Sequence, residues 1–377
     1  MNYNNALKTI KYLRLIKKIL SLKLKLKFKK SRVLLCSHEL SLTGAPITLI
    51  NVSKIIKKNG GYPVIFSPSS GPLKKTFEDM NIPVIIDSSY DFLKNSHKYF
   101  DFALINSVVS YKAANILNKK LPCIWWCHEA TTFDTIMEFK KYSKAAKEAV
   151  ENFPEIYTVS NFAKSYIDKY HKNVKILPYG IKDDYKKYKN YFQKNQKLVF
   201  TMVGTIYPVK GQDIFIDAII DLPLELRSKS IFKFIGKPFD TEFYKKLINK
   251  SKNYPEIIFE GELPTDITLM EMAKSDVIVC SSRGDSFSIV ALEALMMGKL
   301  CLISNQTGIT DWLKNDEDAF IFNYENTKEL TSMLENIIEN PQITMKMFGK
   351  ARQTYLENFE FSIFEKNLIS LINEKKT

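Results

Sequence analysis

From residue 32 onward the sequence switches between short, continuously apolar runs and longer amphipathic stretches, and it does so in two series. Runs at 32–36, 63–67, 83–87, 101–105, 122–127, 155–159 and 174–177 predict strands. Between them, 47–58, 73–80, 110–118, 135–151 and 161–170 predict helices. Strands that are apolar throughout, separated by helices, belong to a parallel sheet covered on both faces. A polar interval, 181–197, breaks the rhythm and reads as a hinge. The alternation then resumes with strands near 198–203, 231–235, 256–260, 276–280, 300–303 and 319–322, before a tail of two or three helices over 326–374. A chain of 377 residues exceeds one ordinary core. The reading is therefore α/β: two doubly wound, Rossmann-like domains in tandem, their strand C-terminal ends facing a central cleft where such sheets bind ligands. The expected layout is a basic segment at 1–30, a first domain at 31–180, a linker at 181–197, a second domain at 198–355, and a C-terminal helix at 356–377 that packs back on the first domain.

Charge divides the chain differently. The formal net charge is +14, yet residues 1–32 contain eleven basic residues and no acid, which leaves +3 for the rest. On a helical wheel, 5–20 sets Ala6, Ile10, Tyr12, Leu13, Ile16, Ile19 and Leu20 opposite Lys8, Lys11, Arg14 and Lys18. Such a segment can lie on an anionic membrane surface, pack on the protein with its lysines solvated, or touch nucleic acid. The first reading is preferred, and nucleic acid is not expected as a partner. No run is long and apolar enough to span a bilayer, and the lysine-broken N-terminus does not read as a secretory signal. Cys36, Cys123, Cys127, Cys280 and Cys301 form no CxxC pair, which argues for reduced cytosolic thiols. Cys123, Cys127 and His128 have no second ligand pair, and Asp316-Glu317-Asp318 reads as a solvated turn. Metal is therefore not expected, and neither is a cofactor: no GxGxxG follows a strand and no GxxxxGK[ST] occurs.

Two stretches carry anion-binding chemistry. In 198–213 an apolar strand ends at Gly204, and Lys210 precedes Gly211 just before a helix that begins near Gln212. A lysine in such a loop binds phosphate as a point charge. In 276–303 a strand leads through a short polar loop to a helix opening near Ser288, where the backbone amides of Ser286, Phe287 and Ser288 are read as free to bind an anion. Asp285 precedes the helix. Glu293, eight residues on, lies among Ile289, Val290, Ala291, Leu292, Ala294 and Leu295. A carboxylate in that setting needs a partner, either a salt bridge within the protein or the paired hydroxyls of a sugar.

The string from Asp285 through Glu293 to Gly298-Lys299 resembles the E-x7-E signature of retaining GT-B glycosyltransferases of family 4. Further resemblances follow in family order over about 33–360. The Gly204…Lys210-Gly211 loop is similar to the donor diphosphate loop. Ile176-Leu-Pro-Tyr-Gly180 and Thr158-Val-Ser160-Asn161 are similar to segments near the interdomain linker, Trp126-Cys-His128-Glu129 to an N-domain loop, and Gly44-Ala45-Pro46 to the first acceptor-side loop. The resemblance implies a hexosyltransferase that moves a sugar from a nucleotide-diphosphate sugar to a glycan, glycolipid or protein acceptor of a bacterial cell envelope. Glu293 would bind the ribose and Lys210 the diphosphate. Asp285 and His128 would lie by the transferred sugar, with Gly236, Lys237 and Glu262 near the base; apart from the resemblance, His38 with Glu39 after the first strand is read as lining the same cleft, on the acceptor side. The implied location is cytoplasmic, on the inner face of the membrane. Two positions depart from the pattern. Thr205 stands where the family often has Arg, so Arg283 is expected to supply the missing charge; Asp285 stands where Glu is usual and reaches one methylene less far. The same fold would also suit a sugar-nucleotide epimerase, or a membrane-tethered protein that binds nucleotide sugar without turning it over.

Overall fold

A computed structural model describes residues 31–139, 143–193 and 195–376. The basic segment 1–30, and with it the membrane-surface helix read over 5–20, lies outside the described residues. The rest forms two compact units. Of the described residues, one unit takes 31–159, 164–177 and 365–376; the other takes 160–163 and 178–364.

The first unit is built on seven parallel strands: β1 (Arg32–Cys36), β2 (Tyr62–Ser67), β3 (Val84–Ile86), β4 (Phe102–Asn106), β5 (Cys123–Cys127), β6 (Ile156–Thr158) and β7 (Val174–Ile176). Their order is β3-β2-β1-β4-β5-β6-β7. The second is built on six: β8 (Leu198–Val203), β9 (Ser230–Ile235), β10 (Ile257–Gly261), β11 (Val277–Cys280), β12 (Leu300–Ser304) and β13 (Phe320–Phe322), in the order β10-β9-β8-β11-β12-β13. All thirteen strands lie where the apolar runs predict them. In both sheets the central strands are buried on both faces, as in Leu34, Leu35, Ile105 and Trp125 of the first and Phe200, Phe232, Ile278 and Leu302 of the second. That is why they read as unbroken apolar runs. Each sheet reverses its winding once, between β1 and β4 and between β8 and β11. Ligands of open α/β sheets sit outside the strand C-termini at such reversals.

Three stretches differ from the reading. The helix expected over 135–151 is two helices, Thr131–Glu138 and Ser143–Asn152. The described residues of the polar interval 181–197 belong to the second unit and include the helix Tyr185–Tyr188, with Tyr188 buried and its hydroxyl 3.4 Å from Asp266. Tyrosines among lysines supply the apolar contact that a count of polar residues hides. Asp318 is no solvated turn residue. It is buried, taking the amide of Lys314 and the hydroxyl of Thr354, both at 2.7 Å.

The tail is three helices, Thr327–Glu339, Gln342–Asn358 and Phe361–Lys376. The end of the last is held within the first unit. Lys375 and Lys175 pair with buried Glu155 at 2.5 and 2.7 Å, Lys376 reaches the Ser31 hydroxyl, and Glu365 takes Lys58 and Asn59.

Candidate functional site

In the second unit the site grows from the C-terminal ends of β8, β9 and β11. After β8 the chain passes Gly204 and the half-turn Pro208–Lys210, then enters the helix Gln212–Asp221. Two glycines let three loops touch backbone to backbone. A Cβ on Gly211 (φ 73°) would lie 1.9 Å from the Ser281 carbonyl; one on Gly236, after β9, would lie 1.9 Å from the Gly204 carbonyl. Only hydrogen fits at either place. Gln212 ties the loop down by donating to the Thr205 carbonyl at 3.0 Å, and Thr205 itself is exposed.

This packing delivers Lys210 to Asp285, Nζ to Oδ2 at 2.7 Å. Burial alone would lower the lysine, but the facing carboxylate outweighs it and raises Lys210 above its usual range. Burial alone would likewise raise Asp285, and Lys210 with two backbone amides holds it below the usual range. Those amides are Phe287 N and Ser288 N, at 3.3 and 3.1 Å from Asp285 Oδ1. The helix entrance is thus not the set of free amides that the sequence suggests. An aspartate two and three residues upstream folds back onto them, as short carboxylates do at helix starts. Ser288 caps the helix Ile289–Met297 through the Ala291 amide at 3.3 Å and holds φ 60°, a strained value for a residue with a side chain. The Phe287 ring is an anchor, packed edge-on against Tyr179, Trp312 and Phe359, while Ser286 stays partly exposed in the loop.

Arg283, expected to supply a second positive charge, already faces a carboxylate of its own. Its guanidinium is committed to Asp213 by two bonds of 2.8 Å and to the Pro208 carbonyl at 2.6 Å. A bidentate carboxylate is the strongest partner within reach, and the sequence alone did not show Asp213 to be facing it. Lys237 and Glu262 are exposed and 3.8 Å apart.

Glu293 lies in the second turn of the helix. It has no hydrogen-bond or ion-pair partner among the described residues, and burial pushes its carboxyl up to about 7. The internal salt bridge considered from the sequence is not formed. The Cys280 thiol, raised to about 12 by burial, feels the charges of Asp285, Lys210 and Glu293, so these groups share one neighbourhood.

In the first unit the chemistry again gathers at the strand C-termini beside the reversal. His38 follows β1. Its Nε2 is 3.6 Å from Glu39, its Nδ1 is buried without a partner, and burial lowers its pKa against the pull of Glu39 and Glu129. His128 follows β5, buried against the Trp126 ring at 4.4 Å, with Nε2 2.5 Å from Asn106 Oδ1. Burial lowers it to about 3, helped by His38, so the imidazole is neutral at physiological pH. Glu129 is fixed by the Ser107 hydroxyl and the amides of Val108 and His128. Gly44 is exposed at the start of the helix Gly44–Lys58, Pro46 is buried, and the Ala45 carbonyl takes Asn106 Nδ2 at 2.7 Å. The sequence reading missed Asn106, although an amide closing an apolar strand at a winding reversal is a readable signal.

Among the described residues no group of three or more His, Cys, Asp or Glu side chains is placed to hold a metal ion. All five cysteines are free thiols. No described helix is long and apolar enough to cross a membrane.

Comparison with known proteins adds the following. Residues 29–176 match the model described as glycosyl-transferase family 4, and residues 184–354 the model of glycosyl transferases group 1. An uncharacterized glycosyltransferase of Methanocaldococcus jannaschii is 28% identical over 59% of this chain and 56% of its own length. The UDP-Gal:alpha-D-GlcNAc-diphosphoundecaprenol alpha-1,3-galactosyltransferase of Escherichia coli is 25% identical over 39% and 38%. The chain thus spans a little over half of the first of these relatives and well under half of the second. The crystal structure of Anabaena HepE in complex with UDP-glucose superimposes with a TM-score of 0.74 at 16% identity, covering 91% of this chain and 99% of that one.

Proposed function

The chain belongs to the family 4 glycosyltransferases and has their two-domain GT-B fold, and from that premise we propose that it transfers a sugar, with retention of configuration, from a nucleotide-diphosphate sugar to an envelope glycan, glycolipid or protein. The observation that carries the donor assignment is Glu293: a half-buried carboxylate with no protein partner among the described residues, one and a half turns into a helix whose entrance holds Lys210 and Asp285. A ribose diol supplies the two hydroxyl donors that this carboxylate lacks. Gly204, Thr205 and Gly236 belong to the close-packed loops after β8 and β9 that carry Lys210. The HepE complex with UDP-glucose and the galactosyltransferase relative support a nucleotide-sugar donor.

The transfer asks for charge stabilisation more than for covalent chemistry. As the sugar–phosphate bond opens, negative charge grows on the diphosphate, and in this reading Lys210 is the cation that meets it, with no metal required. Asp285 is a poor nucleophile, because both its oxygens are engaged, Oδ1 by two amides and Oδ2 by Lys210. Its role is to aim Lys210 and the helix entrance. The acceptor hydroxyl attacks the same face, and a leaving phosphate oxygen takes its proton. His128, with His38 and the Gly44-Ala45-Pro46 turn, orients sugar and acceptor in the first unit. The enzyme works at the inner membrane surface, held there by residues 1–30.

The test is nucleotide release. The full chain is incubated with UDP-, GDP- and ADP-sugars, a lipid-linked or glycan acceptor, and EDTA. Free nucleotide from one donor, with the anomeric configuration kept in the product by NMR, is the expected result. Nucleotide binding without release from any donor would overturn the transferase reading. Release that needs added divalent metal would overturn its metal independence.

A further inference from the structure

The amide of Asn106 settles a question that no histidine answers alone, namely which ring nitrogen carries the proton. Asn106 closes β4 and is fully buried. One end of its carboxamide lies 2.7 Å from the Ala45 carbonyl and the other 2.5 Å from His128 Nε2. A backbone carbonyl only accepts, so the end facing Ala45 is the NH2 group and the end facing His128 is the oxygen. That oxygen only accepts in turn, so Nε2 of His128 is the protonated nitrogen. Because burial keeps the ring neutral, Nδ1 then carries the lone pair. The Thr48 hydroxyl, which donates to the Ala45 carbonyl at 2.7 Å, stands 3.5 Å from the same Asn106 oxygen. The Ser110 hydroxyl holds the Asn106 backbone carbonyl at 2.7 Å.

We propose that Asn106 is a positioning residue for sugar transfer: it locks His128 in the Nε2–H tautomer and registers the Gly44-Ala45-Pro46 turn against that ring. One side chain thereby sets both what the imidazole presents and where the acceptor-side turn stands. The titratable groups near His128 include His38, Glu39 beyond it, and Glu129, whose Oε2 takes the His128 amide. The inference rests on the reading of His128 as a group that faces the reaction.

The chain has four histidines, so selective 13C and 15N labelling resolves them, with His128→Ala as the assignment control. The wild type is expected to show the Nε2–H shift pattern for His128, unchanged between pH 5 and 8. In Asn106→Ala that pattern gives way to a mixture of tautomers. In Asn106→Asp, where the carboxylate stabilises the imidazolium, His128 begins to titrate within this range. Turnover should fall about tenfold or more in Asn106→Ala, with nucleotide affinity unchanged because Glu293 and Lys210 are untouched. The same change should cost little more in a His128→Ala background. An Nδ1–H pattern in the wild type overturns the proposal. So does an equal loss of turnover whether or not His128 is present. A wild type that shows the Nε2–H pattern but transfers no sugar from any donor instead sinks the reading of function, and leaves the tautomer assignment standing.

Discussion

Glu293 ionises against its surroundings, and the sign of that cost is measurable. Its carboxyl is raised from the usual 4.5 to about 7 by burial. Below pH 4.5 it is protonated folded or unfolded, and it contributes no pH dependence. As pH rises toward 7, the unfolded chain releases the proton readily and the folded one does not, so stability falls, and above 7 the penalty is complete. A shift of this size is worth no more than about 3 kcal/mol. Glu293→Gln should therefore raise the unfolding midpoint at pH 8, leave it nearly unchanged at pH 3.5, and abolish nucleotide-induced stabilisation; calorimetry at the two pH values checks all three. A destabilised Gln variant at pH 8 would mean the carboxylate has a partner. The sequence made this residue legible because it is the sole acid in an apolar helix. It could not reveal the fate of Arg283, whose partner Asp213 lies 70 residues away and arrives from another loop; the capture of the Phe287 and Ser288 amides by Asp285 is local, two and three residues upstream, and was open to reading.

At the scale of elements, the apolar runs were sufficient to place all thirteen strands, since a strand buried on both faces leaves no other pattern. The same reasoning merged two helices over 135–151 and left 181–197 bare, because turn positions and tyrosine packing leave little trace in hydropathy. The loops between strands carry the sharper test. Gly236 and Gly349 are both glycines in ordered structure, yet they should answer oppositely to alanine. At Gly236 the new methyl would meet the Gly204 carbonyl at 1.9 Å, so the loops after β8 and β9 must separate. A loss of about 1–3 kcal/mol is expected, together with weaker nucleotide binding. Gly349 lies inside the helix Gln342–Asn358, and a methyl there meets nothing within 4 Å. Alanine at 349 should stabilise by about 0.5–1 kcal/mol and leave nucleotide binding unchanged. Thermal unfolding and nucleotide titration of the two variants side by side decide it; a neutral Gly236→Ala would mean the loops do not depend on that close approach.

For the whole molecule, the distribution of charge matters more than its sum. Eleven of the basic residues lie in 1–32, ahead of or at the very start of β1, and the remaining 345 residues carry only +3. A near-neutral body has little reason to seek an anionic surface, whereas ten lysines and arginines preceding it, interleaved with leucine and isoleucine, do. Attraction of that kind is worth about 1 kcal/mol per basic residue near an anionic leaflet and weakens as salt shortens the Debye length. The full chain should therefore sediment with vesicles containing anionic lipid, less so at high salt and less so again with neutral lipid. Removing residues 1–30 should abolish sedimentation at any salt while leaving nucleotide affinity unchanged, because Lys210, Asp285 and Glu293 all lie in the second unit. If the truncated chain still sediments, the folded units bind lipid on their own; if nucleotide affinity falls with the segment, it serves the donor site rather than the membrane.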